Sequence, residues 1–115
     1  MHEYSLVLSL IERVEQEMRS HNAVAARCIK ISVGELSGVE ADLLSYAFEI
    51  AREDTLLRTA QLEVTSVVAR WQCAGCARDV DSQKGLICDS CGNPAHLVEG
   101  GEILFESVEL ELPSD

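Results

Sequence analysis

Cys73, Cys76, Cys88 and Cys91 fall into two Cys-x-x-Cys pairs within nineteen residues, and that spacing is the chain's clearest chemistry. Zn²⁺ takes four tetrahedral ligands, and each Cys-x-x-Cys turn can present two thiolates to one ion while its backbone N–H groups point at the sulfurs. The pairs are Cys73-Ala74-Gly75-Cys76 and Cys88-Asp89-Ser90-Cys91, with Gly92 placed where a tight turn wants positive φ. Four thiolates close the shell and leave no position for water, so a zinc ion held there is structural rather than catalytic. A thioredoxin-type redox pair needs only one such motif, and iron also accepts four sulfurs; both rank below zinc.

A second candidate site opens the chain, Met1-His2-Glu3. The α-amine of Met1, the backbone nitrogen of His2 and its imidazole can close adjacent chelate rings around one ion, and the backbone nitrogen of Glu3 can complete a square plane. Square-planar nitrogen coordination selects Ni²⁺ or Cu²⁺ over Zn²⁺. Met1 is expected to survive processing because His2 is large. Amine and imidazole take up protons near neutrality, so nickel affinity should fall below about pH 6.5. Taken alone, a histidine beside the first methionine is a weak signal, since chain ends are often frayed.

Three other groups with metal-ligating chemistry have plainer readings. Cys28 follows Arg27 in an alternating stretch and reads as a half-buried, inert strand residue. His96, five residues past Cys91, and His21, after the first helical pattern, read as solvated loop residues, with an auxiliary ligand role for His96 as the lesser alternative.

The elements that must position these groups are legible from periodicity. Leu6, Val7, Leu10, Ile11, Val14 and Met18 recur at helical spacing opposite Glu12, Arg13, Glu15, Glu17 and Arg19, predicting an amphipathic helix over 4–20. Alternation of Ile29, Ile31 and Val33 with Cys28, Lys30 and Ser32 predicts a half-buried strand over 27–33, and Gly34 and Gly38 bracket the following turn. Leu44, Ala47, Phe48 and Ala51, with Leu43 at the edge, predict a helix over 41–54, with Glu40 and Asp42 complementing its dipole. Further strands are expected over 62–68 and 103–112. The fold class is α+β: two helices packed on a three-stranded sheet, with a zinc-ribbon-like four-cysteine lobe inserted. Residues 1–70 plus 99–115 make the body and 71–98 the lobe, where glycines, cysteines and polar residues replace regular apolar patterns.

Composition narrows the function classes. A hydrophobic content of 47% supports a folded chain, while 20 acidic against nine basic residues give a net charge of -11. That field repels nucleic acid and anionic membranes and attracts divalent cations or basic protein patches. No apolar run approaches the roughly 18–20 residues of a membrane span, and the N-terminus lacks the basic region of a signal peptide, so a cytoplasmic location is expected. An enzyme would want an open metal position beside a base, and neither is apparent.

Met1-His2-Glu3-Tyr4-Ser5, a helix, the strand Ile29-Lys30-Ile31-Ser32-Val33-Gly34, then Ala47-Phe48-Glu49 on a second helix, two Cys-x-x-Cys pairs and a late Glu-rich strand together resemble the HypA/HybF family of hydrogenase-maturation nickel chaperones. The resemblance implies an accessory protein, not an enzyme, that takes up Ni²⁺ at Met1, His2 and Glu3 and holds one structural zinc at the four cysteines. It further implies delivery to the large-subunit precursor of a [NiFe]-hydrogenase with a HypB-type GTPase as partner. Members can be monomers or homodimers, and the residues do not choose between them. Some members carry a histidine close after each Cys-x-x-Cys; Ala77-Arg78 and Gly92-Asn93 stand there instead, which speaks against a histidine-coupled zinc site. A zinc-ribbon adaptor without nickel transfer is the alternative reading.

Overall fold

The computed structural model describes residues 2–114, with the side chain of His2 left out of the description. Helix α1 spans His2–Ser20, strand β1 Ala25–Gly34, helix α2 Ala41–Ala51 and strand β2 Gln61–Val67. Strands β3 (Arg70–Cys73), β4 (Asp79–Val80) and β5 (Ala95–Glu99) follow, and β6 (Ile103–Glu111) ends the regular structure.

β1 is the middle strand of the body sheet, in the order β2-β1-β6. It runs parallel to β2, aligning Ile29 with Leu62 and Ile31 with Val64, and a parallel pair requires a crossover, here supplied by α2. It runs antiparallel to β6, aligning Ile29 with Val108 and Ile31 with Phe105 across a shift in register. Both helices cover the face bearing these side chains. Val7, Ile11, Val14 and Met18 from α1, Leu44, Ala47 and Phe48 from α2, and Ile29, Ile31 and Val33 from β1 make one buried core. The two-helix, three-stranded body is therefore as the apolar periods predict.

α2 ends at Ala51, three residues before the predicted Asp54. Arg52 caps it and turns back, its guanidinium reaching the Ala60 carbonyl and lying 5.7 Å from the Phe48 ring centroid. The Thr55 hydroxyl donates to the Arg52 carbonyl at 2.7 Å, and the bend buries Leu57 and Ala60 completely. Tertiary burial of Leu57 thus overrides the continuing helical pattern.

The region 71–98 differs from its sequence reading in one respect: it contains a second sheet, ordered β4-β3-β5 and antiparallel throughout. Its strands have two to five residues, too short for an alternating pattern to show. Body and lobe lie end to end. The radius of gyration is 18.4 Å, against about 13 Å for a compact chain of this length, and the extents are 61 × 32 × 16 Å.

The joint lies at the end of β1. Gly34 N–H donates to Glu102 O (3.0 Å), Glu35 N–H to Val67 O (2.8 Å) and Leu36 N–H to Gly100 O (2.8 Å), while the Glu35 carboxylate accepts Ala69 N–H at 2.7 Å. The backbones meet so closely that a Cβ on Gly34 would lie 2.4 Å from the Gly100 carbonyl.

Candidate metal centre

The two Cys-x-x-Cys turns are built alike. Ala77 N–H donates to Cys73 O (3.1 Å) and Gly92 N–H to Cys88 O (2.9 Å), closing each turn at the residue after its second cysteine. Both closing residues are left-handed, Ala77 at φ 63 and Gly92 at φ 75. Gly92 is the residue expected there, whereas Ala77 carries a Cβ in a conformation that costs roughly 1–2 kcal/mol. β3 delivers Cys73 from its last position, and the isolated bridge between Ile87 and Pro94 frames the second turn.

These turns bring all four predicted cysteines together, with their sulfurs within 4.8 Å of one another. Four sulfurs each about 2.3 Å from one tetrahedral ion would stand about 3.8 Å apart. Cys76 and Cys88 are 3.7 Å apart, Cys91 and Cys76 3.8 Å, and Cys73 and Cys91 3.2 Å. Spacing and donor chemistry both fit a metal held by four thiolates. Cys73 and Cys88 are buried and Cys76 and Cys91 exposed, so the cluster sits at the surface of the lobe.

Backbone donors prepare two of the thiols for ionisation. Cys76 N–H and Gly75 N–H donate to Cys73 Sγ at 3.4 and 3.3 Å, and the Cys76 bond, then the Cys91 thiol, lower the Cys73 pKa to about 6. Cys88 is lowered chiefly by the Cys91 and Ser90 N–H groups. Cys76 goes the other way, to about 11: an Arg78 backbone hydrogen bond pulls it down but is outweighed by burial and the neighbouring thiols. A bound cation removes that conflict by stabilising all four thiolates.

Asn93 and Arg78 support the cluster, and neither stood out in the sequence. Asn93 Nδ2 donates to Cys91 Sγ at 3.4 Å, its carbonyl accepts Cys88 N–H at 2.9 Å, and a Cβ on Gly75 would strike its side chain. Arg78 accepts Cys73 N–H through its carbonyl and reaches Ser90 Oγ at 2.8 Å, tying one turn to the other. The only sequence signal was their position directly behind each pair.

The other candidates lie elsewhere. His96 is exposed on β5 opposite Gln72 and is not part of the four-sulfur cluster. His21 Nδ1 donates to the Glu17 carbonyl at 3.0 Å, closing the end of α1. Cys28, half-buried on β1, donates to Glu63 Oε2 at 3.5 Å, and burial with that carboxylate raises its pKa, so it is held as an unreactive thiol. Met1 and the His2 imidazole lie outside the described residues. α1 begins at His2, and Glu3 Oε2 accepts Glu40 N–H at 3.5 Å, bringing the start of α1 to the start of α2.

The comparisons with known proteins cover this whole arrangement. The family described as hydrogenase/urease nickel incorporation, metallochaperone, HypA matches residues 1–110. The hydrogenase maturation factor HypA of Streptomyces avermitilis is 39% identical over 115 residues, covering 96% of this chain and 88% of its own, and that of Aquifex aeolicus is 32% identical over 114 residues, covering 97% and 99%. The solution structure of the Ni metallochaperone HypA from Helicobacter pylori superposes with a TM-score of 0.71 at 25% identity over 96% of this chain and 98% of that one. A second solution structure, of a HypA protein, gives 0.77 at 27% identity over 96% of each. With its helices, its mixed sheet and its four-cysteine lobe all within the matched span, the chain belongs to the HypA family.

Proposed function

We propose that this protein is a nickel metallochaperone that takes up Ni²⁺ at Met1, His2 and Glu3 and passes it to the large-subunit precursor of a [NiFe]-hydrogenase, with a HypB-type GTPase as partner. The observation that carries the reading is the HypA family match, a family described by nickel incorporation, over residues 1–110. Helix geometry supports it. The first four N–H groups of a helix have no intrahelical acceptor, so with α1 starting at His2 the backbone nitrogens of residues 2 and 3 are not committed to the helix ladder. A carrier needs such a site, reachable by a partner that supplies competing donors.

The four cysteines would hold one zinc ion, which supplies a tetrahedral crosslink between the two turns and no open position for substrate. We read 71–98 as a zinc-binding domain and 1–70 plus 99–115 as the nickel-binding domain, with no catalytic residue in either. No described helix is long and apolar enough to cross a membrane. The cytoplasmic location rests on the work proposed and on the composition.

Calorimetric titration of the zinc-loaded protein with Ni²⁺ tests the nickel site. His2→Ala, or a tag of several residues that places the Met1 amine in a peptide bond, should abolish stoichiometric binding while circular dichroism stays unchanged. Undiminished binding in both variants would refute the terminal site.

A further inference from the structure

The helix pair carries an apolar groove that neither metal site uses. α1 and α2 run side by side in the same direction: Glu3 accepts Glu40 N–H where α2 begins, and Glu15, further along α1, accepts Leu56 N–H beyond its end (3.2 Å). Helical spacing puts Tyr4 and Leu8 on the same side of α1 as Glu15, the side toward α2. On α2, Ser45, Glu49 and Arg52 face β2, which leaves Leu43 and Ile50 toward α1 and Tyr46 beside them at the surface. Tyr46 is 65% exposed, Ile50 53%, Leu8 48% and Leu43 45%, and Leu56 extends the patch. α2 is thus apolar on its core face and again on an outer stripe, and monomers rarely leave such a patch uncovered.

Charge identifies the occupant. Glu12 and Glu15 on α1, and Glu53 and Asp54 just past the end of α2, stand beside the stripe and outnumber Arg19 on the same side of α1. Two of the arginines of this region are turned to the body: Arg13 lies over Phe105 at 4.6 Å, and Arg52 is engaged by Ala60. We propose that the groove between α1 and α2 docks an amphipathic helix of a partner protein, its apolar face against Tyr46 and Ile50 and its flanks carrying lysine or arginine. A second copy fits less well, because it would set the same acids against each other in chains of net charge -11.

Fluorescence anisotropy of a labelled Leu/Lys amphipathic peptide of about 18 residues, some 27 Å of helix, tests this with the full zinc-loaded chain and no nickel, so its outcome is separate from that of the delivery reading. Saturable one-to-one binding is expected, weakened at least about tenfold in Tyr46→Ser/Ile50→Ser, with no binding of the same peptide carrying Glu for Lys. Cys28→Ser, outside the groove, should leave the affinity unchanged. If the double variant loses helicity, Leu43→Ser provides the same comparison. The proposal is overturned by absence of saturable binding, by equal affinity in wild type and groove variants, or by binding of the Glu peptide. It is equally overturned if sedimentation shows a dimer that the groove variants abolish, since the occupant would then be a second copy.

Discussion

The body and the lobe are both three-stranded sheets, yet they are stabilised by different physics. In the body, fourteen buried apolar residues among those described, from two helices, one strand and the loops, form a single core. In the lobe, the buried apolar class contains only Cys73 and Cys88 among the described residues. The body is specified by side-chain volume and periodicity, the lobe by where four sulfurs can meet. A chain can therefore lose one kind of order and keep the other, provided their shared joint tolerates it.

Removing the metal is the severest test of this division. Structural zinc in comparable small sites contributes roughly 10–16 kcal/mol of apparent binding free energy, so Cys73→Ala, or chelation, should unfold the lobe while the body keeps its amide dispersion in NMR spectra. Dispersed lobe resonances in chelator would show that the strands hold without an ion. The converse is Phe48→Ala, a fully buried deletion expected to cost the body about 3–5 kcal/mol in urea titrations while the metal content of the lobe is unchanged. Gly34→Ala attacks the joint, where the new methyl would meet the Gly100 carbonyl; a loss of about 1–3 kcal/mol should register in body and lobe together.

Acidification should release the metal from the lobe specifically. Four thiolates must take up protons as they leave the ion, and Cys73, which its turn lowers to about 6 from the ordinary 9.0, keeps its charge down to that value, so release is expected as pH falls toward and below 6. A colorimetric chelator followed through an acid titration measures it. Smallest of all is Ala77→Gly. It relieves left-handed strain at one turn but adds freedom to the unfolded chain, leaving a net gain of at most about 1 kcal/mol in zinc-loaded thermal stability, whereas Gly92→Ala should lose about as much.

The same contrast explains what the sequence disclosed. The body was legible because α1 and β1 bury side chains at periods of 3.6 and 2, and Val7, Ile11, Val14 and Met18 or Ile29, Ile31 and Val33 announce their faces. The cluster was legible because Cys-x-x-Cys encodes geometry in four residues. The strands of the lobe were not, since Trp71, Ala95 and Leu97 alternate over too few positions to register. Nor was the end of α2, decided by Leu57 reaching the core from outside the helix. Asn93 was hidden for a different reason: its amide matters only once two turns distant in sequence have been folded against each other. The outer stripe of α2 was partly in view as Leu43 at the edge of the apolar face, but exposure is a property of the folded body.

The joint at Gly34 also has a bearing on the order in which the chain can fold. β2 and β6 both reach the end of β1, on either side of it, so the whole lobe is a loop that must be spanned before β6 can pair. Closing a flexible loop of about 35 residues costs about 3 kcal/mol by its length dependence. A lobe already tied by its metal has its two feet, Arg70 and Glu99, paired on neighbouring strands, and presents β6 at the edge it must join. An ion that never touches the body would then hasten the body's last strand, and refolding followed at the Phe105 edge should slow when chelator is present.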